Sequence, residues 1–234
     1  MNKSELLEIK RNNVGTGLLI ENDGYISMAE GKNKQLRESI NSMEGWHCPY
    51  PFIVHAVFQK YGIKNANGRI YPESVLKKQV EIYQQRIAEK RALGECNHPQ
   101  ESTIDLGRIS HNIIELHWEG RTLVGQMELN ITKGFVEQGI CSSLGDTVAN
   151  LLLNGYKIGV SSRGVGSVEQ KLGQYIVGDD FELICWDVVE SPSTPCAYIG
   201  SSREELQPYL ESKEYKDKGT INEKIDKIKS ILGQ

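Results

Sequence analysis

Two stretches of the chain repeat apolar residues at the spacing of an α-helix. The first runs from about residue 73 to residue 91, where an apolar stripe lies opposite lysines, glutamines and glutamates. Gly94 follows it as the predicted C-cap. The second runs from residue 146 to residue 154 and ends at Gly155. The pattern predicts two helices that pack one face on a core.

The other apolar runs are short, rich in β-branched and aromatic residues, and bounded by turn signals, which is typical of strands. They occupy residues 17–20, 52–58, 104–110, 112–118, 123–129, 158–168, 174–177 and 181–189. A turn at residues 119–122 joins two of them as a hairpin. Several short strands with one long helix between them predict an α+β domain around an antiparallel sheet or barrel.

Composition and charge narrow the class of protein. With 234 residues, 38% of them hydrophobic and 25% charged, the chain fits a soluble globular protein of one large domain or one domain with extensions. The net charge of −4 and the absence of a lysine- or arginine-rich run give no indication that the protein binds nucleic acid. No apolar run has the length of a signal peptide or a membrane span, so we expect a cytoplasmic protein.

The cysteines exclude two further classes of site. Their number is odd and none has the CxxC spacing, so neither a disulfide framework nor a zinc site is expected. His47 and Cys48 are adjacent, but no second pair at ligand spacing follows them. We therefore expect no metal and no cofactor. The cysteines are Cys48, Cys96, Cys141, Cys185 and Cys196.

The segment from residue 156 to residue 168 is the strongest candidate for chemistry. A β-prone lead-in delivers Ser161 and Ser162, and Arg163 and Gly164 follow. A stiff strand aims a hydroxyl, and small neighbours leave N–H groups able to face a developing oxyanion. Taken alone, the same residues are also typical of a strand with a glycine bend.

A histidine upstream supplies the matching base. His98 stands between Asn97 and Pro99, and proline restricts the backbone before it, which would hold the imidazole in one direction. Histidine has an ordinary pKa near neutrality, so it can take a hydroxyl proton and return it to a leaving amine. Because His98 and Ser161 are far apart in the chain, only the fold can bring them together. By itself His98 is equally well explained as a loop histidine.

Taken together, these motifs resemble the prohead core proteases of T4-like tailed bacteriophages. The resemblance rests on Gly-Glu-x-Asn-His-Pro at residues 94–99 and Gly-Val-Ser-Ser-Arg-Gly-x-Gly-Ser at residues 159–167. It extends, in the family's order, over residues 52 to 200. Further landmarks are Asn-x-Asn-Gly-Arg-x-Tyr-Pro at 65–72, Trp-x-Gly at 118–120 and Asp-x-Val-x-x-Pro-Ser-x-Pro at 187–195.

The resemblance implies a serine endopeptidase related in fold to the herpesvirus maturation proteases, with an antiparallel β-barrel surrounded by helices. Carried onto this chain, His98 is the general base and Ser161 the nucleophile. Ser162 faces the opposite side if the strand alternates. Arg163 stands where a GxSxG motif would have its second glycine, which argues against an α/β-hydrolase.

The third catalytic residue must accept a hydrogen bond from the imidazole and stabilise the imidazolium. Asp187, on a predicted strand after the serine, is our choice, and Asp105 and Glu95 are the alternatives. Herpesvirus relatives use a second histidine for this role. His111 and His117 are the histidines to consider, but both precede the serine.

The oxyanion of the tetrahedral intermediate needs donors of its own. The family's arginine suggests Arg163, together with the backbone N–H of Gly164, as the oxyanion support, and the positive charge suits that role. No metal is implied.

The resemblance also predicts domains and partners. We expect an N-terminal arm at residues 1–50, a protease domain at 51–200 and a charged C-terminal tail at 201–234 that is a candidate for removal by self-cleavage. Family members favour cleavage after glutamate, and Glu8 and Glu223 would suit self-processing. The expected substrates are phage scaffold or core proteins and the major capsid protein precursor, inside the prohead in the host cytoplasm. A homodimer is left open.

Two other functions remain open at the level of sequence. One is a catalytically silent scaffold or core protein with the same fold. The other is a cysteine hydrolase that uses Cys96, two residues from His98.

Overall fold

The computed structural model describes residues 15–20, 46, 48–190 and 192–194. The proposed C-terminal tail, Glu8, Glu223 and His47 lie outside the described residues.

The strands of the described part form two sheets. One has the order β1-β7-β8-β3, with β9 also paired to β7; the other has the order β2-β6-β5-β4. The strands are β1 (Gly15–Ile20), β2 (Ile53–Lys60), β3 (Arg69–Ile70), β4 (Leu93–Glu95), β5 (Ile109–Glu119), β6 (Thr122–Leu129), β7 (Gly159–Lys171), β8 (Gln174–Val177) and β9 (Glu182–Val189).

Three α-helices accompany the sheets in the described residues: α1 (Glu73–Ala88), α2 (Lys133–Gln138) and α3 (Leu144–Leu153). A 3₁₀ helix at Leu106–Arg108 precedes β5. None of these helices is long and apolar enough to cross a membrane.

The α+β class and the antiparallel pairing are confirmed, with β3 and β8 as a short parallel exception. The predicted closed barrel does not form among the described strands, because their pairing leaves two separate sheets with open edges. The relation in fold to herpesvirus proteases stays a prediction.

The two predicted helices exist, but one predicted cap was wrong. α1 ends at residue 88, and Gly94 lies inside β4 instead of capping the helix. The chain reverses earlier, at Lys90, whose φ is 54°. α3 begins two residues before its predicted start, because the side chain of Ser143 and that of Asp146 form a reciprocal capping box.

Most predicted strands are confirmed to within a few residues, and one was wrong. Residues 104–108 are not a strand, because the Asp105 carboxylate accepts from the Gly107 N–H at 2.8 Å and caps the 3₁₀ helix. β5 therefore begins at Ile109. The short elements β3, β4 and α2 were not predicted, since two to six residues show no readable period.

β1 lies in the predicted N-terminal arm, yet it pairs with β7. Gly15 to Ile20 run antiparallel to Val168 to Arg163. This part of the arm thus belongs to the same sheet as the serine strand.

Trp186 of β9 fixes which face of that strand meets the core. Its ring packs edge-on against Phe58 of β2 at 5.6 Å and against Tyr83 of α1 at 5.0 Å between centroids. Its Nε1 donates to Gln59 Oε1 at 3.2 Å. Because side chains alternate along a strand, the residues on either side of Trp186 face the other way.

His111 joins the two sheets where β4 and β5 approach β9. Its Nε2 donates to the Trp186 carbonyl at 3.1 Å, and the Ser110 hydroxyl donates to Nδ1 at 2.9 Å. Burial lowers the pKa of His111 to about 4, against opposing contributions from the charge of Asp187 and the Trp186 carbonyl. The side chain is therefore neutral near pH 7.

Gly94 permits this close approach. A Cβ at residue 94 would lie 2.3 Å from His111 Nε2 and 2.3 Å from the Trp186 carbonyl oxygen. Atoms do not approach so closely, so an alanine would force the sheets apart.

We predict that Gly94→Ala lowers the free energy of unfolding by about 3 kcal/mol, measured by urea denaturation. Gly134→Ala is the matched control, because the nearest atom to its added Cβ, Thr132 Oγ1, is 4.0 Å away. The control should keep or slightly raise stability, since alanine suits a helix better than glycine. Equal stability of Gly94→Ala and wild type would contradict the prediction.

We also predict that the protein loses stability as the pH falls from about 6.5 to about 4, the window between the ordinary and the folded pKa of His111. In that window the unfolded chain binds a proton that the folded chain does not, so unfolding is favoured by up to about 3 kcal/mol. His111→Gln removes this contribution. Urea midpoints measured from pH 7 to pH 4 should fall more steeply for wild type than for the variant, and parallel curves would refute the assignment.

Candidate active site

The pairing of β7 with β9 places the serine opposite an aspartate. Ser161 pairs with Asp187 and Arg163 with Cys185, and directly opposite residues share one face of a sheet. Ser162 pairs with Trp186 on the other face, as the alternation predicts. Ser161 and Asp187 are both buried, with exposures of 1% and 0%.

His98 reaches the same face from the end of β4. The chain leaves β4 alongside β9, with a bridge between Cys96 and Val188 and a hydrogen bond from Asn97 N to Val188 O at 2.8 Å. Asn97 then adopts a φ of 63°, a left-handed conformation that asparagine tolerates well. The turn brings His98 Nδ1 to 2.7 Å from Asp187 Oδ2. The left-handed turn at Asn97 was not predicted, and the contribution of Pro99 to this orientation stays a prediction.

This contact assigns the proton on the imidazole of His98. The ionised carboxylate of Asp187 can only accept, so Nδ1 carries a hydrogen, and in the neutral form of the ring the lone pair is on Nε2. Nε2 is buried and has no hydrogen-bond partner among the described residues. A neutral imidazole with a lone pair on Nε2 is the form that a general base needs.

Asp187 is held from several directions. Its Oδ1 accepts from Glu95 N at 3.0 Å, from the Cys185 thiol at 3.1 Å and from Arg163 Nη2 at 3.3 Å. Its Oδ2 accepts from Arg163 Nε at 2.9 Å and from His98. Burial alone would raise the pKa of Asp187, but the hydrogen bond from His98 and the charges of His98 and Arg163 outweigh it and hold the pKa below its usual value.

Arg163 is fully buried and its guanidinium is committed to neighbours. Nη1 donates to the carbonyls of Glu101 at 2.7 Å and Thr103 at 3.3 Å, and Nη2 lies 3.2 Å from Glu95 Oε2. Nε and Nη2 grip Asp187 as a fork. Every nitrogen thus contacts the protein itself, which is a different environment from the oxyanion position predicted for this side chain.

Gly164 is explained by packing. A Cβ at this position would lie 2.3 Å from the Phe181 ring and 2.7 Å from the Glu182 carbonyl oxygen. Its backbone lies inside the sheet, opposite Leu19 of β1 on one side and Leu183 of β9 on the other. The predicted oxyanion contact of its N–H stays a prediction.

The two alternative carboxylates have other partners. Glu95 is buried, but its Oε1 accepts from Asp105 N at 2.6 Å and its Oε2 faces Arg163. The Asp105 carboxylate is exposed and caps Gly107. The carboxylate that the structure brings to His98 is that of Asp187.

The two other histidines considered for the third position lie elsewhere. His111 is buried between Ser110 and the backbone of Trp186. His117 is half-exposed on β5, where its ring nitrogens lie 3.1 Å from Glu115 and 3.6 Å from Glu119.

Cys96 is poorly suited to act as a nucleophile. Its thiol is half-buried, and burial raises its pKa, with the charge of Asp187 adding to the effect and that of Arg108 opposing it. The thiolate that cysteine chemistry requires is therefore disfavoured. This environment gives the cysteine-hydrolase hypothesis no support.

Some participants were not predicted. Cys185 sits two residues before Asp187 and so shares its face; the alternation of β9 could have revealed it. Arg108 donates through Nη2 to the Cys96 carbonyl at 2.9 Å, and its Nε lies 3.6 Å from Glu95 Oε2. No signal in the sequence marks Arg108. Within the described ranges, no group of three or more potential ligand side chains is arranged to hold a metal ion.

Comparison with known proteins agrees with the resemblance seen in the sequence. The prohead core protein protease of Enterobacteria phage T4 is 32% identical over 149 residues, which cover 62% of this chain and 66% of that protein. The structure reported for the bacteriophage T4 capsid assembly protease matches with a TM-score of 0.56 and 25% identity, over 74% of this chain and 98% of that chain.

The family comparison covers a larger part of the chain. A model of the family described as "Prohead core protein serine protease" matches residues 18–206. This region contains the second half of β1, all of the strands β2 to β9, and the residues His98, Ser161 and Asp187. The chain therefore belongs to the prohead core protein serine protease family.

Proposed function

We propose that this chain is a serine endopeptidase of phage capsid maturation, with Ser161 as nucleophile, His98 as general base and Asp187 as the residue that orients the base. The observation that carries the proposal is the 2.7 Å contact between His98 Nδ1 and Asp187 Oδ2, on the sheet face where Ser161 is the cross-strand partner of Asp187. Cross-strand partners have Cβ atoms about 5 Å apart, so Ser161 and His98 are both neighbours of Asp187, which supports the proposed triad.

In this proposal the Ser161 hydroxyl oxygen attacks the carbonyl carbon of the scissile peptide bond while His98 Nε2 accepts the hydroxyl proton. The tetrahedral intermediate collapses, the C–N bond breaks, and the imidazolium returns the proton to the leaving amine. Water then hydrolyses the acyl-enzyme by the same proton route. Asp187 keeps His98 in the required tautomer and stabilises its charged form.

The surroundings of Arg163 favour a role in holding Asp187 over a role in binding the oxyanion. Its guanidinium is buried and engaged on every nitrogen, whereas an oxyanion donor must face the position where the charge develops. Backbone N–H groups near Ser161, including that of Gly164, remain the proposed donors.

The substrates follow from the family. We propose that the protein acts inside a prohead in the host cytoplasm, cleaves scaffold or core proteins and the capsid protein precursor after glutamate, and processes itself at Glu8 and Glu223. A homodimer and a common origin with herpesvirus maturation proteases are further expectations of the same resemblance. The names of the T4 relatives, a prohead core protein protease and a capsid assembly protease, support the setting.

A catalytically silent core protein is the second candidate. Burying an arginine and two carboxylates costs desolvation that an apolar core would avoid. A chain that needed only the fold would gain nothing from keeping His98, Asp187 and Arg163 in this arrangement. The buried network therefore favours the enzyme.

We predict that purified wild-type protein truncates itself after glutamates and that Ser161→Ala does not. Ser162→Ala is the matched control, because this neighbouring serine faces the other side of β7 and should leave cleavage intact. Truncation of wild type and of each variant is measured by intact mass over time. A fluorophosphonate probe should label wild type at Ser161 and fail to label Ser161→Ala. Truncation of Ser161→Ala at the wild-type rate would remove Ser161 as the nucleophile.

We predict that Asp187→Asn lowers the rate of self-cleavage by about 10⁴-fold, because an asparagine would favour the wrong tautomer of His98. Asp105→Asn tests the alternative carboxylate. It should retain activity, since an amide oxygen can still cap the Gly107 N–H. Loss of activity in Asp105→Asn with full activity in Asp187→Asn would reverse the assignment.

A further inference from the structure

Glu95 belongs to the buried network although it does not contact the histidine. Its backbone N–H donates to Asp187 Oδ1 at 3.0 Å. Its carboxylate is completely buried, with Oε1 accepting from Asp105 N at 2.6 Å and Oε2 lying 3.2 Å from Arg163 Nη2. Arg163 is thus shared between two carboxylates.

The net charge of this network affects how strongly Asp187 can stabilise the imidazolium of His98. Paired with Arg163 alone, Asp187 would form a neutral unit and would stabilise the imidazolium of His98 only weakly. With Glu95 on the same guanidinium, the three buried groups carry two negative charges and one positive charge. The excess negative charge lies where the imidazolium must form.

We infer that Glu95 is a positioning residue that acts through Arg163: its carboxylate takes up part of the guanidinium charge, so that Asp187 stays effectively negative toward His98. This inference rests on the proposed function, in which His98 is the general base. Glu95 touches neither substrate nor reacting atoms. Its effect reaches the reaction through the ease with which His98 accepts a proton.

Other charged or titratable groups also face His98 or its partners. Arg108 lies 3.6 Å from Glu95 Oε2 and is partly exposed, so it offsets Glu95 only in part. Four more are near Asp187: Cys185 through its thiol, and Cys96, His111 and Tyr83 through charge interaction. Burial keeps both cysteines as thiols, Tyr83 as a phenol and His111 neutral near pH 7. Glu95, Asp187, Arg163 and Arg108 are then the charges that matter.

The experiment measures how fast a fluorophosphonate probe labels Ser161 between pH 4.5 and pH 9, read by intact mass. The acid limb of this profile reports protonation of the base. We expect Glu95→Gln to move the midpoint of that limb down by about one pH unit and to lower the plateau rate. Glutamine can still accept from Asp105 N, so this variant removes the charge and keeps the shape.

Arg108→Gln should move the same midpoint upward by a few tenths of a pH unit, because it leaves the charge of Glu95 less compensated and the site is partly exposed. Glu115→Gln is the control for a loss of one charge, since Glu115 lies on β5 and pairs with His117. It should leave the profile unchanged. Opposite shifts for Glu95→Gln and Arg108→Gln would not arise from simple loosening of the fold.

An unchanged or raised midpoint in Glu95→Gln would overturn the inference while leaving the protease intact. If Glu95→Gln fails to fold, Arg108→Gln becomes the test. An unchanged midpoint in Arg108→Gln would then overturn the inference about Glu95. If wild type is not labelled at Ser161, the proposed function fails. An NMR pH titration of the His98 Cε1–H, assigned with His98→Gln, then still tests Glu95, because it needs no reactivity.

Discussion

The buried pair of Arg163 and Asp187 is the interaction on which the rest of the candidate site depends. A guanidinium and a carboxylate withdrawn from water are tolerable only when each is matched in charge and in hydrogen bonds. Asp187 meets this condition with His98, the Glu95 backbone and the Cys185 thiol, and Arg163 meets it with Asp187, Glu95 and two loop carbonyls. If a charged partner is removed, the charge that remains is buried without full compensation, and this lowers the stability of the fold. The same network orients the base, so stability and chemistry share one set of contacts.

The core on the other side of β9 decides where this network can form. Trp186 packs against Phe58 and Tyr83 and so turns Asp187 to the opposite face. The His111 bridge and the bare backbone of Gly94 then let β4 approach β9 closely enough for His98 to reach the carboxylate. The packing of the large Trp186 side chain and the close backbone contact at Gly94 together position the polar site.

The sequence allowed a large part of this to be predicted, for identifiable reasons. α1 and α3, the hairpin of β5 and β6, and the strands β7 and β9 have enough residues for their periods to be read, and they are confirmed. The segment at residues 104–108 was predicted as a strand because its apolar residues suit one, but a single side-chain cap from Asp105 overrides that preference. Cys185 and Arg108 were missed, since their importance comes from neighbours distant in the chain.

The sequence by itself determined the family, the α+β class and the residue types available for catalysis, because motifs and periodicity are local properties of the chain. Only the tertiary structure decided that Asp187, and not Asp105 or Glu95, meets His98, and that the guanidinium of Arg163 turns inward to Asp187. Those choices depend on the register of β7 with β9 and on the left-handed turn at Asn97. The strand register and the turn both follow from how the whole chain packs, and no local pattern of residues encodes that packing.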